Sequence, residues 1–227
     1  MILDAATLNS KLPELGYKHL AFISYARARF RHPANTMQFA RAVRQDPLRK
    51  RAEVLKSRLE EALVQTFIEP SVFSDSDLPD GAAWEAELAA ALYSSVIVIA
   101  ICDPVYFTDA KAWCAREWFS ALEVDGRRPR ANTFGTFVHA TTQVPSNGLY
   151  PPWSTTQQTV DLSAMSATGW TGRSKPLREW VFGLHNHIQI VASHWITQGI
   201  RAEAKAELLN KTWPEKQEPT PKYPLAA

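Results

Sequence analysis

Apolar residues in this chain follow two rhythms. The run Val96-Ile-Val-Ile-Ala-Ile-Cys102 is of strand length and carries no polar side, which predicts a central strand covered on both faces. His19-Leu-Ala-Phe-Ile-Ser-Tyr-Ala26 is a second β-rich run and predicts the first strand, with residues 1–18 as a short lead-in. Val72-Phe73 predicts a brief strand, and residues 133–138 and 159–162 are weaker candidates.

Between these runs the apolar period lengthens to that of a helix. Val54, Leu55, Leu59, Ala62 and Leu63 form a stripe opposite Lys56, Glu60 and Glu61. Trp84, Leu88, Ala91 and Leu92 mark another helix, with Asp80 as its expected N-cap, and Met37, Ala40 and Val43 mark a shorter one over residues 33–45 that Pro47 interrupts. Leu177, Trp180, Val181 and Leu184 mark one face of a helical stretch predicted from 176 to 209, followed by a Pro-rich flexible tail over 212–227.

Strands alternating with helices predict an α/β fold with a central, mainly parallel sheet between two helical layers. In such sheets ligands bind beyond the carboxyl ends of the strands. Residues 25–31, 74–81 and 103–117 would converge there.

At 227 residues and 45% hydrophobic content the chain buries a core without metals or disulfides. A formal charge of +2 does not call for direct nucleic-acid binding. An acidic N-terminus and the lack of a 20-residue apolar run speak against a leader or a membrane span, so a cytoplasmic location is expected. The two cysteines, Cys102 and Cys114, read as buried free thiols.

The most informative segment leaves the apolar strand through Asp103-Pro-Val-Tyr106-Phe107 and enters a helix at Ala110-Lys-Ala-Trp113-Cys-Ala-Arg-Glu117-Trp118. Trp113 and Glu117 fall one helical turn apart, an aromatic wall beside a single carboxylate and a candidate for glycosyl chemistry. Trp118, Phe119 and Leu122 have the spacing of a buried face. Other chemistry is weaker. Asp75, Asp77 and Asp80 lack the closing glutamate of a calcium loop, and His185, His187 and His194 have no cysteine or carboxylate at matching spacing, so no metal is expected. No Gly-x-Gly-x-x-Gly loop, Walker loop or Gly-x-Ser-x-Gly elbow follows a predicted strand.

The order of these pieces resembles the Toll/interleukin-1 receptor (TIR) domain family. The resemblance rests on Phe22-Ile23-Ser24-Tyr25, on Val72-Phe73-Ser74-Asp75 entering an acidic BB-type loop that ends at Gly81, on Trp84-Glu-Ala-Glu-Leu88 with Ala91, Leu92 and Ser95, and on the strand–loop–helix ending at Glu117. It implies a flavodoxin-like TIR domain over residues 19–175, followed by a helical extension over 176–211. Residues 27–52 are longer than the usual link from first strand to first helix, and the match weakens beyond about 125. There Trp153, Trp170, Trp180 and Trp195 would line a partner interface or fill a second small core.

The family holds both scaffolds that signal by TIR–TIR assembly and enzymes that cleave NAD at the nicotinamide–ribose bond. The resemblance to the bacterial NAD-cleaving type implies that Glu117 is catalytic, that NAD is substrate rather than cofactor, and that the product is ADP-ribose or a cyclic isomer. It further implies a homo-oligomer, with a neighbour's loop completing the pocket, a separate sensor or effector protein, and a role in antiphage immunity. Within it, Trp113, Tyr25 and Phe73 are candidate stacking residues, Asp75 joins the substrate-binding set, and Arg27 and Arg29, with Arg31, would hold the pyrophosphate. A deoxyribosyltransferase-like enzyme, using the carboxylate as a covalent nucleophile, stands as a third reading.

Overall fold

Five strands form one sheet: β1 (His19–Tyr25), β2 (Val72–Ser74), β3 (Ser95–Cys102), β4 (Phe137–Thr141) and β5 (Thr159–Asp161). Their order is β2-β1-β3-β4-β5 and each pairing is parallel, as in Ala21 opposite both Val72 and Ile97. The computed structural model describes residues 2–26, 47–78, 84–102, 104–107, 112–127, 136–141, 159–162, 170 and 174–213. The expected helix over 33–45, the caps and loop at Asp80 and Gly81, Trp153, and Arg27, Arg29 and Arg31 lie outside the described residues.

Among the described residues five α-helices surround the sheet: α1 (Ala5–Glu14), α2 (Pro47–Leu63), α3 (Trp84–Tyr93), α4 (Ala112–Arg127) and α5 (Lys175–Gln198). Helix α5 packs on α1, α2 and β3, while α3 packs on α4, and both sets contact the sheet. All eight residues of β3 are buried, as a strand covered on both faces requires. Pro47, expected to interrupt the helix over 33–45, starts α2, where its missing N–H is no loss and its fixed φ suits the first turn.

The amino-terminal lead-in contains helix α1. Asp4 caps it, its carboxylate accepting from the Thr7 N–H at 2.8 Å, and Leu8 and Leu12 seat the helix in the core. The Asp-x-x-Thr cap was the available signal. Helix α5 belongs to the main core rather than to an appended unit. Its Leu177, Val181, Leu184, Ile188, Val191 and Trp195 join one continuous cluster with Leu55, Leu59, Phe22 and Ile99. Trp195 stacks on Tyr17 at 4.9 Å, and Trp170 meets Trp180 at 6.2 Å, so these three tryptophans fill the domain itself.

Helix α5 also ends earlier than expected. Gly199 adopts φ 64°, and the Ile200 N–H reaches back to the Trp195 carbonyl at 2.9 Å, a Schellman-type stop. Residues 200–213 then form neither helix nor strand although Ala202, Glu203, Ala204, Lys205, Ala206 and Glu207 are good helix formers. Tertiary hydrogen bonds override that propensity. Ala202 N–H donates to the Leu15 carbonyl at 2.9 Å, Glu203 N–H to Tyr93 at 3.3 Å, and Leu209 N–H to the Ser120 hydroxyl at 2.9 Å.

A Cβ at Gly199 would meet nothing within 4 Å, so only the backbone opposes a side chain there. Gly199→Ala is therefore expected to lower unfolding free energy by about 1 kcal/mol without altering the folded spectrum, as read by urea denaturation.

Acid sensitivity has a local source in His19. Its imidazole packs against Phe73 at 5.2 Å with Nδ1 2.7 Å from the Ser71 hydroxyl, and burial holds its pKa below the ordinary 6.5 despite the nearby Asp77 carboxylate. Between that lowered value and 6.5 the unfolded chain binds more protons, so stability falls as pH drops through this window. His185 acts in the same sense, again through burial. The decline in stability from pH 7.5 to 5.5 is expected to be shallower in His19→Gln than in the parent.

Candidate active site

Parallel pairing brings the ends of β1, β2 and β3 to one edge, since Ile23 pairs with Ser74 and Tyr25 with Ile101. A 3₁₀ turn, Pro104–Phe107, rolls over the end of β3 and leads toward α4. Glu117 sits on α4 and is 8% exposed. Its Oε2 accepts a hydrogen bond from the Ser24 hydroxyl at 2.5 Å, and the same hydroxyl lies 2.6 Å from the Tyr106 phenol. Ser24 comes from β1, Tyr106 from the turn after β3, and Glu117 from the following helix. Only the crossover connections of the sheet bring the three together.

Tyr106 is wholly buried, and burial, with the Cys114 and Cys102 thiols and Glu117 adding to it, pushes its phenol well above the ordinary 10.0. Its ring is wedged between Phe107 at 5.2 Å, Trp213 at 6.0 Å and Trp118 at 6.1 Å. Trp213 arrives at the end of the irregular 200–213 segment, so this strap reaches the support of the site. Both cysteines are buried outside any disulfide, and the Cys114 thiol points at the Tyr25 carbonyl at 3.9 Å.

The other expected site residues are arranged less uniformly. Trp113 is half-buried and packs against Trp84 of α3 at 4.2 Å, with the Arg116 guanidinium 4.3 Å above its ring. Arg116 also pairs with Glu85 and donates to the Leu208 and Leu209 carbonyls at 3.2 and 3.3 Å. This guanidinium, which the sequence reading did not single out, ties α3, α4 and the strap into one rim. Glu117 faces β1 and the Tyr106 turn, whereas Trp113 leans on α3, one turn earlier on the same helix.

Tyr25 is buried at the end of β1, and Phe73 stacks on Phe22 at 5.5 Å. Asp75 opens a 3₁₀ turn, Asp75–Asp77, in which the Ser74 N–H donates to the Asp77 carboxylate at 2.7 Å and Lys56 pairs with Asp77. The histidines of α5 are drawn into packing, with His185 Nε2 3.1 Å from the Thr66 hydroxyl. Among the described residues no three His, Cys, Asp or Glu side chains gather as a metal site, and no helix is long and apolar enough to cross a membrane.

A wholly parallel sheet in the order 2-1-3-4-5, helices on both faces and a carboxylate set over its carboxyl edge define a doubly wound protein of the flavodoxin-like class. Within that class the match is specific. The TIR domain family model covers residues 22–173, two thirds of the chain, and the protein belongs to that family. No curated protein and no solved structure matches the chain significantly.

Proposed function

We propose that this TIR domain cleaves the nicotinamide–ribose bond of NAD, with Glu117 as the charge-stabilising residue. The observation that carries the reading is the Glu117 carboxylate on the helix after the third strand, held by Ser24 at the carboxyl edge of the sheet; the sequence resemblance implies that it corresponds to the glutamate of NAD-cleaving TIR domains. In the reaction the bond from ribose C1′ to the pyridinium nitrogen breaks, and its electron pair leaves with neutral nicotinamide, so no general acid is required. The sugar passes through an oxocarbenium-like state whose positive charge a carboxylate stabilises more than it stabilises the ground state. Water then adds to C1′ and loses a proton to solvent, giving ADP-ribose. Attack by an adenine nitrogen of the same molecule would instead give a cyclic isomer. Trp113, Tyr25, Phe73, Asp75 and the arginines at 27, 29 and 31 are the proposed substrate contacts. NAD depletion or a diffusible cyclic product would suit an antiphage response initiated by a separate sensor.

Glu117 is only 8% exposed, an observation that also fits a domain that works by assembly alone. TIR domains associate through TIR–TIR contacts, and in the enzymatic reading a second copy would complete and open the site. The two readings separate in one experiment. Protein at dilute and at high, crowded concentration is incubated with NAD and nicotinamide release is followed by chromatography. Release that rises faster than protein concentration supports an assembled NAD-cleaving enzyme, whereas assembly by light scattering without nicotinamide release supports the scaffold.

A further inference from the structure

We infer that Ser24 and Tyr106 are positioning residues for Glu117, a directed chain of hydroxyl donors that fixes one carboxylate oxygen for catalysis. The catalytic part of this inference rests on the proposed NAD cleavage; the chain itself rests on geometry.

The direction of the chain follows from counting protons. Ser24 Oγ lies within hydrogen-bond distance of both Glu117 Oε2, at 2.5 Å, and the Tyr106 phenol, at 2.6 Å, yet a serine hydroxyl carries one proton. An ionised carboxylate only accepts. Ser24 therefore donates to Glu117 and accepts from Tyr106, and the order is Tyr106 to Ser24 to Glu117. Tyr106, buried and with its phenol held well above 10.0, stays a donor throughout the physiological range.

Surroundings turn this contact into a device for placement. Ser24 is 2% exposed and Tyr106 is wholly buried, so the hydrogen bonds act where water screens little. The ring carrying the donor is immobilised by Phe107, Trp118 and Trp213. A glutamate side chain has several rotatable bonds, and tethering one oxygen removes the freedom that would misplace its charge from C1′. Such preorganisation acts on the transition state, where stabilisation depends on the carboxylate being aimed before charge develops.

If the two hydroxyls merely satisfied each other in the core, their loss would change stability but not turnover per folded molecule. Ser24→Ala, Tyr106→Phe and the double variant are assayed with NAD under assembling conditions. In parallel, glutamate carboxyls are labelled with ¹³C, and the Glu117 resonance is assigned by its disappearance in Glu117→Gln. Ser24→Ala is expected to lower kcat roughly 10-fold with KM held within about twofold, the range of a lost hydrogen bond to a charged group. Tyr106→Phe is expected to lower kcat roughly threefold, and in the Ser24→Ala background to add nothing, because Tyr106 acts through Ser24. The Glu117 carboxyl resonance should move in both single variants.

Unchanged kcat in the single variants, fully additive losses in the double, or a Glu117 resonance unmoved by Ser24→Ala would each overturn the inference. If Ser24→Ala does not fold, Tyr106→Phe, which keeps the ring and its packing, carries the test on kcat and the resonance alone. Absence of NAD cleavage by the parent protein would defeat the proposed function, while the ¹³C measurement would still decide the chain: movement in both variants retains it and no movement overturns it.

Discussion

Glu117→Gln is expected to reduce nicotinamide release about 100- to 1,000-fold, the usual loss when one preorganised electrostatic group is removed from the developing charge of a transition state. Glutamine is nearly isosteric, and its amide oxygen can still accept from the Ser24 hydroxyl, which lies 2.5 Å from Oε2 in the parent. The variant should therefore fold with a melting temperature close to that of the parent. Any loss of rate then reports charge rather than architecture. Because the carboxylate acts on charge that develops only toward the transition state, the deficit should appear in kcat with little change in KM when chemistry limits turnover. Nicotinamide release by Glu117→Gln at the parental rate would remove Glu117 from the reaction. A covalent role, as in the deoxyribosyltransferase-like reading, would instead leave a sugar-modified Glu117 detectable by mass spectrometry after rapid quenching.

Trp118→Ala carries the largest expected cost in stability, about 3–5 kcal/mol. The indole is 1% exposed, and its neighbours come from separate elements: Phe137 of β4 at 4.7 Å, Phe107 of the turn after β3 at 5.4 Å, Tyr106 at 6.1 Å and Trp213 of the strap at 6.3 Å. Removing it leaves a void bounded by rigid rings, which cannot collapse as a shell of flexible aliphatic chains would. Against a typical total of about 5–15 kcal/mol this is a large fraction, and the melting temperature should fall by roughly 10 °C or more. Trp118→Phe, keeping much of the area, should fall by less than half as much. A loss below about 1 kcal/mol in Trp118→Ala, by urea denaturation, would mean that the aromatic cluster is not the support drawn here. Since Trp118 also braces Tyr106, its removal is expected to loosen the chain of hydroxyls to Glu117.

Elements covered on both faces, or patterned strictly on one, were legible along the chain. The run ending at Cys102 had no polar side, and the structure buries every residue of β3. The stripe of Leu55, Leu59 and Leu63 lies at 0% exposure on the inner face of α2. Weakly patterned or locally ambiguous segments were not legible in the same way. Helix α1 presents only Leu8 and Leu12 to the core, so its Asp4 cap was the clearer mark. Residues 202–207 have the composition of a helix but form none, because their backbone bonds to Leu15 and Tyr93 and Leu209 to Ser120 follow from packing that no local window contains.

The candidate site divides in the same manner. Order and spacing of residues along the chain determined a parallel α/β domain of the TIR family and marked Glu117 on the helix after the third strand, because apolar periodicity and motif order are properties of neighbours in sequence. Tertiary structure alone decided what touches that carboxylate. Ser24 is 93 residues from Glu117 and 82 from Tyr106, and Trp213 closes over Tyr106 from the carboxyl-terminal strap. Contacts across such separations arise when crossover connections align the strand ends and the core fixes each helix above them, and no local pattern encodes which side chains will then meet.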